Sequence, residues 1–128
     1  MDNLTLTLQP AMLGICRLES PEEIPSWVND SEFFSITKTK EELSIVCPEQ
    51  NIPDGTRSEK GWRAFKIEGP IDFSEIGVLS SILSPLAEAC ISIFAVSTFD
   101  TDYLLVKNEQ LELSISVLQK YFQINSSS

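Results

Sequence analysis

At 128 residues with 42% apolar side chains, the chain has the size of one compact domain or of two small subdomains, with enough apolar mass to bury a core. Nine Lys and Arg against nineteen Asp and Glu leave a net charge of −10, which opposes the phosphate neutralisation that nucleic acids and anionic membranes require. Histidine is absent, so His-based acid–base catalysis and Ser–His or Cys–His triads cannot be assembled, and structural zinc loses its usual nitrogen ligand.

From the N-terminus, Leu4, Leu6 and Leu8 alternate with Thr5 and Thr7, the period of a strand with one buried face, and Pro10 ends the run. Leu13 to Leu18 reads as a second short strand. Pro21, Glu22, Glu23 and Pro25 ahead of Trp27 and Val28 suit a short helix or turn better than a full amphipathic helix. Phe33 to Thr39 and Glu42 to Pro48 form a predicted hairpin, with Leu43, Ile45 and Cys47 alternating and Lys38-Thr39-Lys40-Glu41 supplying the polar turn. Gln50 to Gly61 reads as loop.

Trp62 to Gly69 is the next predicted strand, closed by Gly69-Pro70, and it precedes an apolar stripe at helical spacing: Ile76, Leu79, Ile82, Leu83, Leu86 and Cys90. Pro85 cannot donate to the carbonyl of Ser81, which predicts a kink or an irregular last turn. Ile91 to Val96 and Tyr103 to Val106 are apolar on both faces, as strands in the middle of a covered sheet are. Leu111, Ile115, Leu118 and Phe122 give a second helical stripe with Asn108 as its N-cap, and residues 125–128 read as a frayed Ser-rich tail. The second half thus runs β-α-β-β-α, a ferredoxin-like order with its last strand missing, and the N-terminal run is the spare strand that completes it. The first half reads as a weaker structural copy without sequence repetition.

The three cysteines, Cys16, Cys47 and Cys90, lie in or beside apolar runs with no metal-ligand spacing, and read as buried thiols. No stretch reaches the roughly 18 apolar residues of a membrane span, and the start Met1-Asp2-Asn3-Leu4-Thr5 lacks the pattern of a signal peptide, so the expected location is the cytosol.

One known family shares these residues. Gly69-Pro-Ile-Asp-Phe-Ser-Glu-Ile-Gly-Val-Leu79 and Pro85-Leu-Ala-Glu-Ala-Cys-Ile-Ser-Ile-Phe-Ala-Val-Ser-Thr-Phe-Asp-Thr-Asp-Tyr-Leu-Leu-Val-Lys107 resemble the ACT domains of the aspartokinase-like and cytosolic amino-acid-sensor group. Upstream, Phe34-Ser-Ile-Thr37, Glu42-Leu-Ser-Ile-Val-Cys47 and Gly61-Trp-Arg63 are similar to small stand-alone bacterial members. The resemblance covers Leu4 to Phe122, and Ser97-Thr-Phe-Asp-Thr-Asp-Tyr103 is its most specific part.

The resemblance implies an α+β protein of two packed ferredoxin-like subdomains: an N-terminal one over 10–68, and a C-terminal one over 62–124 completed by strand 4–9. It implies a non-catalytic regulatory or sensor protein without a cofactor or metal, binding an amino-acid-like small molecule and acting through a homodimer or a regulated enzyme partner, with no nucleic acid or membrane. The alternative is a dimerisation module of the same fold that has lost its ligand. The ligand segments it implies are the turn into the first helix, Glu75, Ile76, Gly77 and Val78, and the acidic turn between the central strands, Thr98, Phe99, Thr101 and Asp102. Cys90 stands where the family usually has Gly, which argues for tight packing there.

These residue types suit a zwitterion. A helix N-terminus carries unpaired N–H groups and about half a positive charge, so Ser74 to Val78 can receive a carboxylate, and Gly77 lets a ligand approach the backbone. Asp102 and Glu75 offer carboxylates to an α-ammonium or a cationic side chain. The same residues have plainer uses: Asp72 or Ser74 as an N-cap, Asp100 and Asp102 as shapers of a turn, Gly77 in helix packing.

Overall fold

The computed structural model describes residues 4–20, 23–29, 31–68 and 77–126. The chain divides into two units, residues 1–10 with 63–128 and residues 11–62. Strand β5 (Ser58–Ile67) gives Ser58–Trp62 to the second unit and Arg63–Ile67 to the first.

In the unit formed by 11–62, β2 (Leu13–Leu18), a four-residue 3-10 turn at Ser26–Asn29, β3 (Ser35–Lys38), β4 (Leu43–Pro48), a second 3-10 turn at Glu49–Asn51 and the start of β5 follow in order. The strands lie β3-β4-β2-β5 and every pairing is antiparallel. This is the βαββαβ order with its helices reduced to single 3-10 turns, because Pro25 and the short polar segments offer no amphipathic stripe. Cys16, Val28, Leu43, Ile45, Cys47 and Ile52 form the core, and Trp27 and Ile36 pack on it. The predicted loop to Gly61 is shorter than expected, since β5 begins at Ser58. The step from Leu13↔Trp62 to Ile15↔Glu59 moves two residues along β2 and three along β5. Gly61, at φ 83, lies in that shift, as the left-handed residue of a glycine bulge does. An apolar-pattern reading misses such a start, because bulged residues break the alternation.

The unit formed by 1–10 and 63–128 holds β1 (Thr5–Leu8), the end of β5, α1 (Val78–Glu88), β6 (Ile93–Ser97), β7 (Asp102–Lys107), α2 (Leu111–Leu118) and β8 (Gln123–Ser126). Its strands lie β8-β1-β5-β7-β6. The expected missing strand is present: Gln123–Ser126 pairs parallel to β1, so Asn125 and Ser126 belong to a strand and not to a frayed tail. β1 therefore does not replace the last strand of the ferredoxin-like order but inserts beside it, antiparallel to β5 at Leu6↔Ile67 and parallel to β8 at Leu6↔Ile124. A polar strand such as Gln123-Ile-Asn-Ser126 has almost no sequence signature of its own. The backbone of β1 supplies its hydrogen bonds.

Leu6 and Leu8, Phe65 and Ile67, Val78, Ile82 and Leu86 of α1, Leu104 and Val106 of β7, and Leu118 of α2 form one apolar core. Leu104, Leu105 and Val106 are all fully buried, as expected for a strand inside a sheet, whereas β6 pairs only with β7 among the described residues and exposes Ala95 and Ser97. A run apolar on both faces thus marks the inner strand correctly and overstates the cover on the outer one.

α1 runs through Pro85 to Glu88 and ends in a Schellman motif: the Cys90 N–H donates to the Ala87 carbonyl and the Ile91 N–H to the Leu86 carbonyl, both at 3.0 Å. Cys90 occupies the left-handed position at φ 62, and its thiol is exposed, not buried or tightly packed as the sequence led us to expect. The residue completes the helical stripe by number, yet the chain has already left the helix there. Asn108 opens a 3-10 turn, Asn108–Gln110, with no side-chain cap bond, and the residue preceding α2 is Gln110. Among the described residues, no helix is long and apolar enough to cross a membrane.

Candidate functional site

The two segments singled out by sequence both belong to the unit formed by 1–10 and 63–128. Glu75 and Ile76, with Asp72 and Ser74, lie outside the described residues. Gly77 precedes α1 with φ 85, a left-handed conformation that side-chain-bearing residues adopt only with strain, so glycine is required there by the backbone itself. No side chain caps the N–H groups of the first turn among the described residues, and Ser81 N–H returns to the Gly77 carbonyl at 2.9 Å. Val78 is buried in the core, so any contact it makes with a ligand is through its backbone.

The second segment is the turn between β6 and β7. Ser97 and Asp102 face each other as the last pair of the hairpin, which leaves residues 98–101 to close it. Thr98 does most of the closing. Its N–H and its hydroxyl donate to the Thr101 carbonyl at 2.8 and 3.0 Å, and its Oγ1 accepts the Thr101 N–H at 3.1 Å. Thr101 is buried, and its own hydroxyl donates to the carbonyl of Ile67, the last residue of β5, at 2.5 Å. Phe99 is carried outward at the tip, 81% exposed.

Asp102 is half-buried, and its Oδ1 accepts a hydrogen bond from the Ser97 hydroxyl. Oδ2 has no protein partner among the described residues, which leaves one face of a carboxylate, oriented by Ser97, for a cation or an ammonium group. Of the expected residues, then, Asp102 presents an acceptor unmatched among the described residues and Phe99 an exposed ring, while the side chains of Thr98 and Thr101 are used within the fold. Ser97 was not among the expected residues. A hairpin closed by four residues makes Ser97 the cross-strand partner of Asp102, and that register was the available signal.

A separate groove of about 610 Å³ runs along α1 and the turn that follows α2, lined by Ser81, Ser84, Pro85, Glu88, Lys120, Tyr121 and Phe122. None of the expected ligand residues among the described ones lines it. It arises where two stretches distant in sequence meet, which no local pattern announces. Among the described residues, no group of three or more His, Cys, Asp or Glu side chains could hold a metal ion.

Comparison with known proteins supplies an independent view. The family model of the ACT domain matches residues 57–120, and a second model, of an N-terminal domain, matches residues 12–55. The human protein named cytosolic arginine sensor for mTORC1 subunit 1 is 42% identical over 96 residues, covering 69% of this chain and 29% of that protein. The chain thus spans under a third of that relative's length. The solved structure of protein Atu0741 from Agobacterium tumefaciens superimposes with a TM-score of 0.92 at 40% identity, covering 98% of this chain and 95% of that one. The regulatory subunit of aspartate kinase from Thermus thermophilus shares the fold, with a TM-score of 0.61 at 8% identity over 88% of this chain and 94% of its own.

Proposed function

Because this chain belongs to the ACT-domain family, we propose that it is a regulatory or sensor protein that binds an amino acid without catalysis of its own. The observation that carries the proposal is Asp102, a half-buried carboxylate with one oxygen held by Ser97 and the other unmatched among the described residues. A carboxylate kept in that state at a strand start is matched to a cationic partner that is not part of the fold.

The ligand's carboxylate goes to the backbone N–H groups that follow Gly77, where the partial charge of the helix start favours an anion, and its ammonium goes to Asp102, with Glu75 as the second acid. Phe99 lies over the ligand, and the backbones of Ile76 and Val78 line it. Thr98 and Thr101 shape the turn that presents Asp102. A cationic amino acid is the first candidate, since the relative at 42% identity carries arginine sensing in its name and this chain has a net charge of −10. The signal passes from a cytosolic homodimer or to a regulated enzyme partner.

Titration calorimetry of the standard amino acids, arginine first, tests this, supported by melting shifts that follow RT ln(1 + [L]/Kd). A saturable response to one or a few amino acids is expected. A flat response to the whole panel would overturn the reading and leave an assembly module without a ligand.

A further inference from the structure

Thr101 is the buried hydroxyl of the acidic turn, and its hydrogen bond goes to neither the turn nor the solvent. It reaches 34 residues back along the chain to the Ile67 carbonyl, at 2.5 Å. The position of that carbonyl is defined on both sides. The next residue, Glu68, donates its N–H to the Thr5 carbonyl on β1 at 2.9 Å, so Ile67, one residue earlier on a strand of period two, turns its backbone groups to the opposite edge, toward β7. β7 begins only at Asp102. The Thr101 side chain therefore stands in for a ladder donor where the β5–β7 ladder runs out. At its other end Thr101 is clamped by Thr98 through three hydrogen bonds.

We propose that Thr101 is a positioning residue and not a ligand contact: its buried hydroxyl fastens the turn that carries Phe99 and Asp102 to the end of β5, so that the Asp102 carboxylate is held in one geometry. This rests on the amino-acid-binding reading above. A group that only satisfied a buried carbonyl would contribute to stability and leave affinity alone, because the ligand would still select the correct turn. A positioning group makes the turn sample other arrangements when it is lost, and affinity falls with the population of the competent one.

The test compares Thr101→Val, which keeps the shape and removes the donor, with Thr101→Ser, which keeps the donor. Calorimetry uses arginine, or the amino acid that gives the strongest response with the unsubstituted protein. Thr101→Val is expected to weaken Kd by roughly tenfold, the scale of one lost hydrogen bond, and Thr101→Ser to restore it to within about twofold. Equal affinity in the unsubstituted protein and Thr101→Val, or failure of Thr101→Ser to restore it, overturns the proposal. Should Thr101→Val not fold, amide exchange on the unsubstituted protein decides: ligand is expected to slow residues 98–102 and the Glu68 N–H together, and slowing confined to 98–102 overturns it. An unsubstituted protein that binds no amino acid overturns the binding reading itself, and this inference with it.

Discussion

Leu6 is the most direct probe of how β1 is built into its unit. Its side chain is fully buried in the main core, and its backbone lies between Ile67 of β5 and Ile124 of β8. Leu6→Ala removes three carbon groups, a transfer loss of about 2.4 kcal/mol at about 0.8 kcal/mol each. A residual void of about 40 Å³ would add about 1 kcal/mol at about 24 cal/mol per Å³, so the total falls at about 3 kcal/mol, within roughly 2 to 4. Relaxation is limited because the neighbours that would have to move, Phe65, Ile67 and Leu104, are themselves fully buried and belong to paired strands. Urea denaturation followed by far-ultraviolet circular dichroism measures the loss, with the slope m checked for constancy. Leu113→Ala, at a half-exposed position on α2, serves as control and should stay within about 0.5 kcal/mol of the unsubstituted protein. A loss below about 1 kcal/mol for Leu6→Ala at constant m would refute the reasoning, because it would mean that β1 is not held by that core.

Four further outcomes follow from particular residues. Cys90→Gly should raise stability by about 0.5 to 1 kcal/mol in the same urea assay, since relief of the left-handed backbone outweighs the added freedom of glycine in the unfolded chain. Alkylation of the native protein at neutral pH should label the exposed Cys90 and spare Cys16 and Cys47 until the chain unfolds. Burial pushes the Cys47 thiol up from 9.0 to about 12 and raises Cys16 too, so the folded state keeps protons that the unfolded state releases. That contribution is intact below pH 9 and is lost as pH rises toward about 12, and Cys47→Ala should flatten this part of a stability–pH profile. Asp102→Ala should abolish amino-acid binding by calorimetry while the ligand-free melting temperature stays almost unchanged or rises slightly, because among the described residues the carboxylate has only Ser97 to lose. Destabilisation by roughly 1 to 3 kcal/mol with binding intact would instead mark a structural turn residue.

Much of this architecture is legible from side-chain pattern alone. Alternation identifies Thr5–Leu8 as a strand with one buried face and Leu43–Pro48 as a strand, and the stripe through Ile82 and Leu86 identifies α1, because each of these elements hides a regular apolar surface. Ser97-Thr-Phe-Asp-Thr-Asp-Tyr103 likewise reads as a polar turn between strands, since its residues are turn formers set between apolar runs. What pattern does not carry is which backbone meets which. β8 has no apolar signature and exists because β1 offers it a partner, and β5 begins four residues early because a glycine bulge hides its alternation. Cys90 fits the helical count but sits in a left-handed cap, where local geometry and not periodicity decides its exposure. The two threonines of the acidic turn show the same division most plainly. Their presence beside Asp102 is a fact of sequence, but that one clamps the turn and the other reaches the Ile67 carbonyl depends on a contact across 34 positions of chain, which only tertiary structure can bring about.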